Sequence, residues 1–119
     1  MEIDFDKMQG LVPAVVQDAA SGELLMLGFL NRAALDATLQ TGLVTFYSRT
    51  RQSLWTKGET SGNYLQVVNA WTDCDQDTVL FKVRVLGEGK VCHTGSRSCF
   101  TAELPVSAGA ATMPTEARS

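Results

Sequence analysis

Between residues 78 and 86 the chain alternates side chains in a way that admits few folds. Val79, Phe81, Val83 and Val85 share one face, and Lys82 and Arg84 lie on the other. Successive side chains of a strand point to opposite faces, so this pattern describes a half-buried strand of an antiparallel sheet. Such a strand needs partners, and the rest of the chain supplies them. Two apolar stretches, residues 11–17 and 23–29, flank a turn-rich Asp-Ala-Ala-Ser-Gly and read as a hairpin. Pro13 within the first places it at an edge or at a strand start, because proline has no N–H for a ladder. Residues 43–48, 54–57 and 64–72 are further strands, rich in β-branched and aromatic side chains.

One helix interrupts this pattern. Asn31 is a good N-cap, Leu35 and Leu39 repeat at helical spacing, and Gly42 stands where a C-terminal glycine belongs. About three turns over residues 32–41 follow. Gly87-Glu88-Gly89 turns the chain, and two short strands are expected around Cys92 and Cys99. A chain of 119 residues suits one domain, assigned to residues 1–105, with residues 106–119 as a flexible tail lacking periodicity. The expectation is a β-rich α+β fold, an antiparallel sheet capped by one helix.

Charge and hydropathy remove several functions. A net charge of −3 argues against nucleic-acid and membrane-surface binding, which need basic patches. No apolar run reaches the roughly 18–20 residues of a membrane span. The first residues lack the basic-then-apolar pattern of a signal peptide, so a cytoplasmic location is expected. Three cysteines, an odd number in a reducing compartment, make a disulfide framework a poor reading.

Three polar segments carry features that packing does not demand. In Asp73-Cys74-Asp75-Gln76-Asp77, an extended backbone would turn Asp73, Asp75 and Asp77 to one side and Cys74 to the other. Three convergent carboxylates suit a hard cation such as magnesium or calcium. An EF-hand loop is excluded, because Thr78 stands where that loop needs glycine and Arg84 where it needs glutamate. A solvated acidic turn is the alternative.

In Cys92-His93-Thr94-Gly95-Ser96-Arg97-Ser98-Cys99 two thiols straddle a loop able to fold them toward one ion. Thiolates select zinc, and with Cys74 they make three sulfur ligands and leave an open position, the arrangement of a catalytic site. A closed structural site with His93 as fourth ligand, in a nucleotide-binding module without catalysis, competes with this. Against it, adjacent side chains of an extended segment point apart. His93 is the sole histidine and the natural general acid/base beside such a site. The third segment, residues 48–63, gathers cations, hydroxyls and glycines around Trp55, a composition suited to phosphate groups. Trp55 itself reads more simply as a core anchor.

Together these segments resemble phosphoribosyl-AMP cyclohydrolase of histidine biosynthesis. The resemblance runs from about residue 11 to residue 100 and rests on Ser-Arg-Thr-Arg…Leu-Trp-Thr-Lys-Gly-Glu-Thr-Ser-Gly, Asp-Cys-Asp-Gln-Asp and Cys-His-Thr-Gly-Ser-Arg-Ser-Cys-Phe in that order. It implies hydrolysis of the N1–C6 bond of the purine in phosphoribosyl-AMP by zinc-activated water. It also implies a β-rich pseudobarrel in an intertwined cytoplasmic homodimer. By the resemblance, Asp73, Asp75 and Asp77 bind magnesium, and Cys92 and Cys99 bind zinc together with Cys74 of the partner subunit. Substrate contacts are expected from Arg49, Arg51, Trp55, Lys57, Gly58, Glu59, Thr60, Ser61, Thr94, Arg97 and Ser98. The family often has histidine where Asn63 stands here, which leaves the role of that loop position open.

Overall fold

The alternating strand sits at the centre of a four-stranded sheet. The structure, a computed structural model, describes residues 2–107 of the chain. Its elements are β1 (Val12–Asp18), β2 (Leu24–Leu30), α1 (Arg32–Thr41), β3 (Thr45–Ser48), β4 (Ser53–Thr56), β5 (Leu65–Thr72) and β6 (Val79–Val85). The main sheet has the order β2-β1-β6-β5, and β3 and β4 form a separate hairpin. Val79, Phe81 and Val83 of β6 are buried, Val85 is partly buried, and Arg84 is exposed.

The sheet is mixed, which corrects the expectation of an antiparallel one. β1 pairs with β2 antiparallel but with β6 in parallel, from Ala14↔Val79 to Asp18↔Val83. A parallel neighbour requires a long crossover, and the whole stretch from β2 to β5 serves as one. Among the described residues the strands do not close into a barrel. Pro13 lies in an interior strand yet near its start, and pairing with β6 begins only at Ala14, so no ladder bond to β6 is lost there. Leu25 is an extra residue opposite the Val16/Gln17 step, and this bulge turns both Leu25 and Met26 into the core.

The helix has the expected bounds and caps. Asn31 Oδ1 accepts from the Ala34 N–H at 2.8 Å, and Gly42, at φ 80°, donates its N–H to Thr38 O. Its buried face is Ala34, Leu35 and Thr38, whereas Leu39 is exposed. Thr38 takes the inward position because its hydroxyl accepts from the Thr45 N–H at 2.9 Å and lies 2.9 Å from Ala34 O, tying α1 to β3. Phe46, Phe81, Leu25, Leu30 and Leu65 are the largest fully buried side chains of a core shared by sheet, helix and hairpin.

The two strands expected around Cys92 and Cys99 do not form. Around Cys92 the backbone bonds within its own turn instead, through Val91 and Cys92 N–H to Ser96 O and Gly95 N–H to Cys92 O, and at Cys99 a single N–H reaches Leu25 O. The expected tail falls mostly on residues 108–119, outside those described. Residues 101–107 are irregular and exposed.

Candidate active site

A cleft of about 410 Å³ opens where three loops meet. Arg51 and Trp55 enter it from the β3–β4 hairpin. One wall is the loop after β4, with Lys57, Gly58, Glu59, Thr60 and Ser61, and the facing wall is the segment carrying Cys92 and His93. These nine residues were all expected at the site from sequence. Thr56, Asn63, Lys90, Val91 and Gly95 also line it and were not assigned there. Lys90 had a legible signal, a cation two positions before Cys92. Asn63 had none, because its role depends on a turn far along the chain.

Close packing of backbone shapes the first wall. A Cβ on Gly58, whose φ is 95°, would stand 2.5 Å from the Asn63 carbonyl, so only glycine lets the loop fold back this tightly. Asn63 is buried, and its Oδ1 accepts from the Glu88 N–H at 2.8 Å, joining the wall to the Gly87-Glu88-Gly89 turn that leads into the cysteine segment. Trp55 is half-buried and meets both the core and the cleft. Its ring packs on Phe46, centroids 5.4 Å apart, and the Lys57 ammonium lies 5.8 Å from its centroid at the cleft.

Cys92 and Cys99 lie close enough to affect each other's ionisation. The Thr94 hydroxyl, 3.1 Å from Cys92 Sγ, is the chief cause that brings that thiol down to about 6. Burial, and then the neighbouring Cys92, push Cys99 up. At neutral pH the pair thus offers one thiolate and one thiol, soft donors that fit zinc. His93 Nδ1 is 4.0 Å from Cys92 Sγ. Cys74 is exposed. Among the described residues the one set of three ligand atoms within 4.8 Å of one another is Asp73, Asp75 and Asp77, so Cys74 does not join Cys92 and Cys99 within one chain.

The three aspartates converge as expected, but through a turn rather than by strand alternation. Gln76 has φ 64°, and Asp73 Oδ1 accepts from the N–H groups of Asp77 and Thr78 at 3.0 and 3.2 Å. The Lys7 ammonium sits 3.3 Å from Asp77 and 3.5 Å from Asp75. Clustered carboxylate oxygens, with Lys7 the one cation paired to them among the described residues, fit a hard divalent ion.

Four expected contact residues do not line the cleft. The Arg49 guanidinium lies 4.3 Å over the Phe29 ring in a neighbouring hollow of about 210 Å³. Thr94 bonds to Cys92, Ser98 Oγ donates to Leu24 O at 2.8 Å, and Arg97 pairs with Asp18 and Glu23.

A small mixed-sheet domain whose cleft gathers a thiol, a histidine and cations has the equipment of an enzyme acting on a small molecule. The comparison with known proteins is more specific. Residues 26–101 match the family model described as phosphoribosyl-AMP cyclohydrolase. The chain is 55% identical over 100 residues to the phosphoribosyl-AMP cyclohydrolase of Desulfatibacillum aliphaticivorans, covering 84% of this chain and 79% of that one. It is 57% identical over 99 residues to the histidine biosynthesis bifunctional protein HisIE of Escherichia coli (strain K12), covering 83% of this chain and 48% of that one. The HisIE of Bacteroides thetaiotaomicron is 56% identical over 100 residues, with 84% and 48% covered. The chain thus spans about half the length of these bifunctional relatives. It belongs to the phosphoribosyl-AMP cyclohydrolase family.

Proposed function

We propose that this chain opens the adenine ring of 1-(5-phosphoribosyl)-AMP by hydrolysing its N1–C6 bond, a step of histidine biosynthesis. The observation that carries the reading is the position of Cys92 and His93 in one wall of a cleft whose other wall is the cationic, glycine-containing loop at residues 57–61. Residues 1–105 form the catalytic domain.

Cys92 and Cys99 hold zinc, with Cys74 of the partner subunit as the third thiolate. When bound, zinc supplies the Lewis acidity that makes water a competent nucleophile near neutral pH. A thiolate-rich site is a weaker Lewis acid than a histidine-rich one, so a neighbouring base matters. His93 takes the proton of the water that attacks C6, and returns it to N1 as the N1–C6 bond breaks. The oxygen ends as the carbonyl of the new carboxamide at C6, one proton of the water ends on N1, and the other passes from the C6 hydroxyl to the exocyclic imino nitrogen, which becomes the carboxamide NH2, so that one water is added in full. Arg51, Lys57 and Lys90 face the same cleft and bind phosphate through charge-assisted hydrogen bonds. Asp73, Asp75 and Asp77 hold magnesium.

The exposure of Cys74, apart from Cys92 and Cys99, supports a homodimer. β5 is an edge strand that exposes Val68 (49%) and Trp71 (57%) shortly before Cys74, an apolar face suited to a second copy. Among the described residues no helix is long and apolar enough to cross a membrane, and a cytoplasmic location fits a small-molecule enzyme of this kind.

The deciding experiment follows ring opening of phosphoribosyl-AMP by ultraviolet absorbance, with and without chelator. Turnover that persists after verified removal of zinc sinks the mechanism. A His93→Ala variant that keeps zinc and loses turnover supports the acid/base role. One that loses both makes His93 a ligand instead.

A further inference from the structure

We propose that Arg97 is a positioning residue, which ties the Cys92–Cys99 loop to the β1–β2 hairpin and so presets the two thiols as a metal-binding pair. The inference rests on the zinc reading of those cysteines.

The loop has no regular secondary structure, so its shape depends on individual bonds. Its Cys92 end is set by its own turn, through the bonds to Ser96 O. Its Cys99 end is stitched to β2, where the Cys99 N–H donates to Leu25 O at 2.7 Å and Ser98 Oγ to Leu24 O. Arg97 lies between the two and reaches three places at once. Nε donates to Glu23 Oε1 at 2.9 Å, Nη2 to Asp18 Oδ1 at 3.1 Å, and Nη1 to Gly89 O at 3.2 Å. The planar guanidinium therefore sets the distance between the hairpin end and the turn that feeds Cys92.

The anchor is itself rigid. Asp18 is buried, and its second oxygen accepts from both the N–H and the hydroxyl of Ser21, at 2.8 and 2.7 Å. Each edge of the carboxylate is thus engaged, and Arg97 docks on a group that cannot swing. Lysine offers one compact charge and no fork, so it reproduces at most part of this geometry. Pairs as exposed as Arg97–Glu23 add little to stability, whereas groups that orient metal ligands alter metal affinity by roughly tenfold to a hundredfold. The Asp18 pair bears on the fold, because that carboxylate is buried, and the three-way tie as a whole bears on the metal site.

The test compares the full-length wild type with R97M, R97K and E23Q. Zinc affinity is read by competition with a chromophoric chelator, folding by circular dichroism, and turnover as separate kcat and KM. R97M is expected to bind zinc roughly tenfold to a hundredfold more weakly, with a lowered thermal transition because the buried Asp18 loses its cation, and with the loss of turnover in the folded protein mainly in kcat. R97K and E23Q should fall between. Wild-type zinc affinity with a raised KM in R97M overturns the proposal and makes Arg97 a substrate contact. If R97M fails to fold, unchanged zinc affinity in both R97K and E23Q overturns it equally. A second reading needs no zinc. In a C74S background, where only Cys92 and Cys99 remain, phenylarsine oxide captures both thiols, and R97M should weaken that capture. Undiminished capture overturns the clamp. Weakened capture in a protein that binds no zinc upholds the clamp and rejects the zinc reading alone.

Discussion

Thr94 Oγ1 donates a hydrogen bond to Cys92 Sγ across 3.1 Å, and this link within one turn sets the charge of the thiol. The hydroxyl, followed by the Thr94 backbone N–H, outweighs desolvation and lowers Cys92 from its ordinary 9.0 to about 6. A lowered thiol is ionised above its shifted value, so Cys92 is a thiolate at neutral pH while Cys99, pushed up chiefly by burial, keeps its proton. In metal-free protein, iodoacetamide should alkylate Cys92 with a midpoint near pH 6, and Cys99 only in alkaline solution. Thr94→Val should move the Cys92 midpoint upward. Peptide mapping of the alkylated sites against pH checks both, and an unmoved midpoint would remove Thr94 as the cause.

Asn63 holds the cleft wall against the turn that leads to Cys92. It is 7% exposed and its Oδ1 accepts from the Glu88 N–H. Asn63→Ala strands that N–H, at a cost of about 1–3 kcal/mol. Urea titration should show the loss, and KM should rise because the wall is no longer fixed. Gly87 offers a second probe of the same joint. At φ 73°, a Cβ there would stand 2.4 Å from Asn63 Oδ1, so Gly87→Ala should destabilise as well.

Gly28 lies against the Phe46 ring so closely that a Cβ would be 2.5 Å from two of its carbons. Gly28→Ala is therefore an overpacking substitution, expected to cost about 1–3 kcal/mol. Phe46 also packs against Trp55, the rings tilted by 43°, so the displacement should reach the cleft and lower turnover. Phe46→Leu makes room, and the double variant should be more stable than the sum of the single losses. Additive losses in denaturant melts would show that the ring does not carry the strain.

A shared zinc site makes a specific demand on mixed dimers. C74S alone and C92S alone should each be inactive and deficient in zinc. Unfolded together and refolded as a mixture, they form heterodimers in which one of the two sites regains all three thiols, as two-fold symmetry requires. Partial turnover should return, with zinc bound in proportion. A mixture as inactive as its components would place all the ligands on one chain.

Much of the architecture was legible from local chemistry. Asn31 and Gly42 bound the helix because capping is decided within a turn of the residues involved. Val79, Phe81 and Val83 faced the core because strand alternation is a property of the backbone. The chemistry-bearing residues around the cleft stood out as polar interruptions of an apolar pattern, among them Cys92, His93, Lys57 and Trp55.

Tertiary structure decided what depends on meetings between distant segments. Nothing in the sequence marks β1 as the parallel neighbour of β6: the alternation of β6 suits its antiparallel pairing with β5, and it carries no sign of which strand lies on the other side. The strands expected at Cys92 and Cys99 gave way to a turn, because their backbone bonds to Ser96 and Leu25 rather than to a ladder. Arg97 was expected among the substrate contacts, and the packed chain gives its guanidinium three protein partners, Asp18, Glu23 and Gly89. Asn63 read as a loop residue of open role, yet it is buried and joins two walls of the site. Local sequence thus determined which segments form strands, helix and reactive loops. The partners of a parallel strand, a guanidinium and a buried amide were set only when the packed chain brought remote residues within hydrogen-bonding distance.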